Sequence, residues 1–171
     1  VQGTPQHVIV MGVSGVGKTT VAKRLAQRLA WPYAEGDDFH PEENVEKMAN
    51  GTPLTDDDRW PWLRLINEWL SAQAGDGWNT IVACSALRRA YRDVLREADG
   101  RVHFAYLSGQ QELVDERIGL RDAHFMPPSL LSSQYEALEP LEPDEDGIEV
   151  DAARAPDEIA GDVIEGLQLS R

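Results

Sequence analysis

Residues 12–19 read Gly12-Val13-Ser14-Gly15-Val16-Gly17-Lys18-Thr19, a complete G-x-x-x-x-G-K-[ST] spacing. No other feature restricts the fold of this chain as tightly. The glycines let the backbone curl so that successive N–H groups converge on one anion. A helix starting at the lysine adds the positive end of its dipole to the same point. The motif therefore works only between a strand and a helix. Both are present: a continuous apolar run at His7–Gly12 leads in. An amphipathic stretch at Lys18–Ala30 leads out, with Val21, Ala22, Leu25, Ala26 and Leu29 on one face. The expectation is a phosphate-binding loop made of Gly12, Val13, Ser14, Gly15, Val16, Gly17, Lys18 and Thr19, with Thr20 in the first helical turn. Lys18 supplies a cation to the outer phosphates of ATP, and the Thr19 hydroxyl suits Mg²⁺.

The remaining pattern alternates strands with helices, as in a parallel α/β sheet. Strands are expected at Trp31–Glu35, Thr80–Cys84, Val102–Leu107 and Ile148–Asp151. Helices are expected at Pro41–Asn50, Leu87–Ala98, Gln110–Arg121, Leu130–Leu138 and Pro156–Leu169. A further helix starts at Thr55-Asp56-Asp57-Asp58, a cap with an acid three residues on, with Pro61 in the first turn. It runs to about Gln73 with Trp62, Leu65, Ile66 and Trp69 inward. The fold class is thus α/β, a three-layer P-loop kinase fold: a five-stranded parallel sheet flanked by helices. One domain over 1–171 is expected, with a mobile lid at about 122–138. Ligands of such sheets lie at the carboxyl ends of the strands.

Charge excludes several classes of partner. With 16 basic against 30 acidic side chains the formal charge is −14, unsuited to nucleic acid or an anionic membrane. No stretch reaches spanning length. Cys84 is the single cysteine, so no internal disulfide forms, in keeping with a cytoplasmic location. It reads as a small buried apolar residue rather than a nucleophile.

No N-K-x-D guanine motif is present, and Asp144-Glu145-Asp146-Gly147 matches D-x-x-G only inside an acidic Pro-rich loop. The third strand ends Ala83-Cys84-Ser85 without an acid. The acidic partner of the phosphate loop is therefore sought at the end of the second strand, Glu35-Gly36-Asp37-Asp38. Asp37 is the candidate to orient or deprotonate an acceptor hydroxyl, or to hold Mg²⁺ through water; the alternative is a cap for the next helix. Arg117 and Arg121 share one helix face, four residues apart, just before the irregular segment 122–128. They either reach over the transferring phosphoryl group or lie solvated beside Glu116. Lys18, Asp37 and Arg121 form the catalytic set.

Several blocks together resemble bacterial-type gluconate kinase (gluconokinase). They are Met11–Thr19, Gly36-Asp-Asp-Phe-His-Pro41, Asn44-Val-Glu-Lys-Met48, Gly51-Thr-Pro-Leu-Thr-Asp-Asp-Asp-Arg59 with Pro61-Trp62-Leu63, Cys84-Ser-Ala-Leu-Arg88 with Tyr91-Arg92, Arg121-Asp-Ala-His-Phe-Met126, and Ser133-Gln134 with Leu138-Glu139-Pro140. The resemblance runs from residue 8 to about 140. It implies a nucleoside-kinase-like fold, a homodimer, and transfer of the ATP γ-phosphate to the 6-hydroxyl of D-gluconate. Two positions depart from the pattern: Arg88 stands where lysine is common, and Glu35 where aspartate is familiar.

A sugar acid needs a cationic fork for its carboxylate and mixed donors and acceptors for its hydroxyls. Arg59, Lys47 and Arg88 are candidates for the acid end. His40, Ser85, His124 and Gln134 are candidates for hydroxyls, beside Asp37. Each has a plainer alternative: Arg59 pairing with Asp56–Asp58, Lys47 exposed on a helix, His40 as a cap, His124 packed in the lid. Trp60 and Trp62 rank lower as pocket walls. Two other functions fit the phosphate loop. One is a different small-molecule kinase, of shikimate or nucleoside-monophosphate type; the other is a non-catalytic nucleotide-dependent binding module.

Overall fold

The computed structural model describes residues 3–13, 15–109 and 134–170. Ser14, Arg117, Arg121 and His124 lie outside them, as do the helix expected at 110–121 and most of the expected lid. The strands are β1 (Gln6–Met11), β2 (Tyr33–Glu35), β3 (Thr80–Ala83), β4 (Arg101–Ser108) and β5 (Gly147–Asp151). The helices are α1 (Lys18–Leu29), α2 (Glu42–Ala49), α3 (Asp56–Gly75), α4 (Arg89–Arg96) and α5 (Pro156–Gly166), with a 3-10 turn at Gly36–Phe39. Residues 134–137 form one more helical turn.

The five strands are all parallel, in the order β2-β3-β1-β4-β5. β1 and β3 are apolar because both faces are covered: Val8, Ile9, Val10, Met11, Ile81, Val82 and Ala83 are fully buried. α1 packs on α5, and α3 on α4, so two helix pairs flank the sheet. Register decides what the sheet presents. Val10 pairs with Ala83, and Ala83 with Glu35. The carboxyl ends of β1 and β2 therefore stand level, about 10 Å apart across β3.

α3 starts as the sequence indicates. The Thr55 hydroxyl accepts from Asp58 N at 3.2 Å, and Asp58 Oδ2 accepts from Thr55 N at 2.9 Å, a closed capping box. With that start fixed, Pro61 falls in the second turn rather than the first, where its missing N–H still lies close to the helix end. The inward face also differs from expectation. Trp62, Leu63, Ile66 and Leu70 are buried, whereas Leu65 is 42% exposed. Leu63 and Leu70 sit two turns apart on the Ile66 side, and that stripe joins the buried core.

A buried ion pair holds the loop that follows β3. Arg92, fully buried, donates from Nε and Nη2 to Glu145 at 2.7 and 3.0 Å. Its Nη1 donates to Ala86 O at 2.9 Å, fixing a residue with left-handed φ of 45°. Burial alone would raise the Glu145 pKa, but Arg92, the Glu142 N–H and Arg96 bring it down to about 2. Nearby, Glu139 N donates to Leu87 O at 2.6 Å and Glu139 Oε1 accepts from Arg89 N at 2.8 Å. The residue just past the expected lid is thus tied to the chain entering α4. The acidic loop with its D-x-x-G sequence is structural: Asp144 pairs with Arg89, and Asp146 with Arg101 and His103. Arg92→Met leaves a buried carboxylate short of its main partner. It should lower unfolding free energy by about 3–5 kcal/mol in urea titration; a loss below about 1 kcal/mol would mean water already solvates the pair.

Candidate active site

The phosphate loop closes against its neighbours through the backbone. Gly12 N donates to Ser85 O at 3.2 Å, joining the loop to the end of β3. A Cβ on Gly12 would lie 2.8 Å from Leu107 O, so only glycine lets the chain pass β4 here. Gly17 takes φ of 108° as the residue before α1. Lys18 Nζ donates to the carbonyls of Gly12 and Val13, each at 3.0 Å. Its ammonium is held over the loop, beside the amides that would meet phosphate. Thr19 and Thr20 are exposed in the first turn of α1.

The second strand supplies two acids in different roles. Glu35 Oε2 accepts from the Thr19 hydroxyl at 2.6 Å and from Tyr33 OH at 2.6 Å. Glu35 was not among the site residues drawn from the sequence, although it stood in the cluster singled out there. The signal was its place at a strand end level with the phosphate loop, and the added methylene of glutamate carries it to Thr19. Hydroxyl and carboxylate oxygens side by side are the hard donors Mg²⁺ takes, with remaining positions left to phosphate and water.

Asp37 follows on the 3-10 turn. Its side chain is 54% exposed, yet the protein around it strips part of its water. That desolvation raises its pKa, with Glu35 and Asp38 adding to the rise and Lys18 opposing it. The turn is held at two points. Trp62 Nε1 donates to Gly36 O at 2.8 Å, and a Cβ on Gly36 would lie 2.5 Å from Ala83 O. Trp62 is therefore a supporting wall rather than an exposed pocket face. Its ring also stacks on His40, centroids 4.1 Å apart.

His40 has a side chain only 3% exposed, with Nε2 3.9 Å from Asp37 Oδ1. Burial first, then the charge of Arg59, pushes its pKa down to about 4. Arg59 donates from Nη1 to Leu54 O at 2.8 Å and to Tyr91 OH at 3.1 Å, its guanidinium 5.3 Å from the Tyr91 ring centre. Tyr91 OH donates in turn to Asp56 Oδ1 at 2.5 Å. Arg88 is exposed just before α4, and its charge, like that of Arg59, acts on Tyr91. Lys47 is engaged elsewhere: Nζ donates to both oxygens of Asp58 at 2.9 and 2.8 Å. That pairing is the main reason the Asp58 pKa falls to about 2. Ser85 lies half-buried beside Gly12, and Gln134 half-buried in the helical turn after the lid. Cys84 is buried and burial pushes its thiol up to about 12, so it is no nucleophile. No helix among the described residues is long and apolar enough to cross a membrane.

A family model described as an AAA domain matches residues 8–140. Gluconokinase of Gluconobacter oxydans is 46% identical over 164 residues, covering 96% of this chain and 92% of that protein. The chain belongs to the gluconokinase family. Solved structures agree. A gluconokinase from Sinorhizobium meliloti superposes with TM-score 0.87 at 44% identity, covering 96% of this chain and 93% of its own. An unliganded sugar kinase from Janibacter sp. gives TM-score 0.93 at 49% identity, covering 96% and 95%. Membership makes the chain a P-loop phosphotransferase.

The His40 shift has a thermodynamic consequence. Its folded pKa of about 4 lies below the unfolded 6.5, so the unfolded state binds the proton first. The associated stability is complete above pH 6.5 and is lost as pH falls toward 4. The full effect approaches roughly 3 kcal/mol. Urea unfolding of wild type and His40→Gln across this range should show the wild type losing more stability on acidification; parallel pH curves would contradict the shift.

Proposed function

We propose that this chain transfers the γ-phosphoryl group of ATP to the 6-hydroxyl of D-gluconate, giving 6-phosphogluconate and ADP. The observation that carries the reading is the order of groups along the site. Lys18, Thr19 and Glu35 lie at one end, Asp37 and His40 in the middle, and Arg59, Tyr91 and Arg88 beyond them. That sequence suits a polyphosphate, then an alcohol, then a carboxylate.

In this reading the amides of residues 12–19 and Lys18 hold the β- and γ-phosphates. Asp37 orients the 6-hydroxyl and takes its proton as the oxygen–phosphorus bond forms. The bond from phosphorus to the β-phosphate oxygen breaks, and ADP leaves. Raised proton affinity suits Asp37 to act as that base. Thr19 and, through water, Glu35 and Asp37 would hold Mg²⁺, which when bound neutralises charge on the β- and γ-oxygens. Arg59 and Arg88 take the gluconate carboxylate; Lys47, neutralised by Asp58, organises the start of α3 instead. Ser85 and Gln134 remain candidates for hydroxyls. Arg117, Arg121 and His124 keep their proposed roles over the nucleotide and in the lid, within a single domain. A cytoplasmic homodimer completes the reading, on the strength of the family resemblance.

ADP release, coupled to a dehydrogenase assay with ATP and Mg²⁺, should depend on gluconate. Equal or greater turnover with shikimate or a nucleoside monophosphate would reassign the acceptor, and nucleotide binding without acceptor-dependent turnover would indicate a binding module. Asp37→Asn should cut kcat by about 100-fold or more while leaving ATP affinity in place. Glu35→Gln should raise the Mg²⁺ concentration for half-maximal rate about tenfold; an unchanged Mg²⁺ dependence would remove Glu35 from the metal's surroundings.

A further inference from the structure

Asn44, on α2, is 2% exposed and plays no part in the scheme above. Its side-chain nitrogen lies 2.9 Å from Asp58 O and 3.2 Å from His40 Nδ1. A backbone carbonyl only accepts, so the amide group facing Asp58 must be the NH₂ and not the oxygen. That NH₂ carries a second hydrogen, and the atom within its reach is His40 Nδ1. An N–H directed at a ring nitrogen needs a lone pair there. The ring proton of His40 is therefore on Nε2, and a doubly protonated ring is disfavoured by burial and by Arg59.

Nε2 is the ring nitrogen that looks toward Asp37, at 3.9 Å from Oδ1. This gap is too long for a direct hydrogen bond. It does allow one oxygen atom to sit about 2.8 Å from both groups. The chemistry of the two sides selects that oxygen. It must accept from Nε2–H and donate to a carboxylate. An O–H oxygen does both, a water in the free site and an alcohol that displaces it; a carbonyl or carboxylate oxygen cannot donate to Asp37, and an ammonium cannot accept from His40. Trp62, stacked on the ring and bonded to Gly36 O, holds His40 and the Asp37 turn in one frame.

We propose that Asn44 is a positioning residue that locks His40 in the Nε2–H form, so that His40 Nε2 and Asp37 Oδ1 together select and hold one hydroxyl of the substrate. The identity of that hydroxyl as part of gluconate rests on the function proposed above; the tautomer does not.

The test is ¹⁵N NMR of the histidine side chains in the full chain, with His40 assigned by difference against His40→Gln. Expected is a pyridine-type shift at Nδ1 and a pyrrole-type shift at Nε2, unchanged between pH 6 and pH 8. The reverse assignment, or a doubly protonated ring, overturns the proposal. Asn44→Ala should turn the pattern into an average of both tautomers; an unaltered His40 spectrum in that variant would show that Asn44 does not set it. Should Asn44→Ala fail to fold, the wild-type spectrum and a kinetic pair still decide. Glutamine at 40 sets an N–H near the Nε2 position and asparagine sets one near Nδ1. His40→Asn should show a gluconate KM about tenfold above that of His40→Gln, with equal ATP KM. Equal gluconate KM in the two variants would remove the donor role. Absence of gluconate turnover in the wild type, with the tautomer as stated, would instead overturn the assigned acceptor alone.

Discussion

β3 lies between β1 and β2, and the parallel pairing of those three strands sets the scale of everything at the active edge. The row Val10–Ala83–Glu35 brings the end of β2 level with the phosphate loop. From there one glutamate side chain spans the remaining distance to Thr19. Two residues later the 3-10 turn delivers Asp37 into the field of Lys18. A slip of one residue in either ladder would turn Glu35 to the other face of the sheet and break the Thr19 contact. Gly36 fits this close passage because its backbone runs against Ala83 O.

Around that frame, an acidic protein of net charge −14 has to receive anionic ligands. The arrangement of its carboxylates helps to explain how. Near the acceptor end, Asp58 is neutralised by Lys47, and Asp56 accepts from Tyr91 while lying 3.9 Å from Arg59. Behind α4, Glu145 and Asp144 are matched by Arg92, Arg96 and Arg89. Local pairing of this kind weakens the general field without adding net positive charge. It also divides the basic residues into two groups. Lys47, Arg92 and Arg89 are partners of carboxylates, whereas Lys18, Arg59 and Arg88, together with Arg117 and Arg121, are proposed to meet ligand.

Much of this was legible in the chain. The phosphate loop, the five strands and the capping box at Thr55 follow from local rules, because each depends on residues within one turn or one strand of each other. The helix α3 shows where such rules stop. Its pattern offers two apolar stripes, and only packing against the rest of the chain, α4 and the 3-10 turn included, selects Leu63 and Leu70 over Leu65. Lys47 and Asp58 are eleven residues apart and on different helices, so the pairing of this lysine with the aspartate of a helix cap does not show in either local pattern. Glu35 and Asn44 were hidden for the same reason: the meaning of each lies in one atom of a residue distant in the chain.

Local sequence was enough to settle the class of chemistry. A glycine-rich turn between strand and helix, with the G-K-[ST] ending, carries its phosphate donors within itself, since they are backbone N–H groups and their geometry is local. Packing of the whole chain was needed to settle which acid faces Thr19, which basic residues gather around Tyr91, and which nitrogen of His40 lies toward Asp37. Those outcomes depend on distances of a few ångströms between separate elements, and such distances are set by strand register and helix packing rather than by the identity of any one residue.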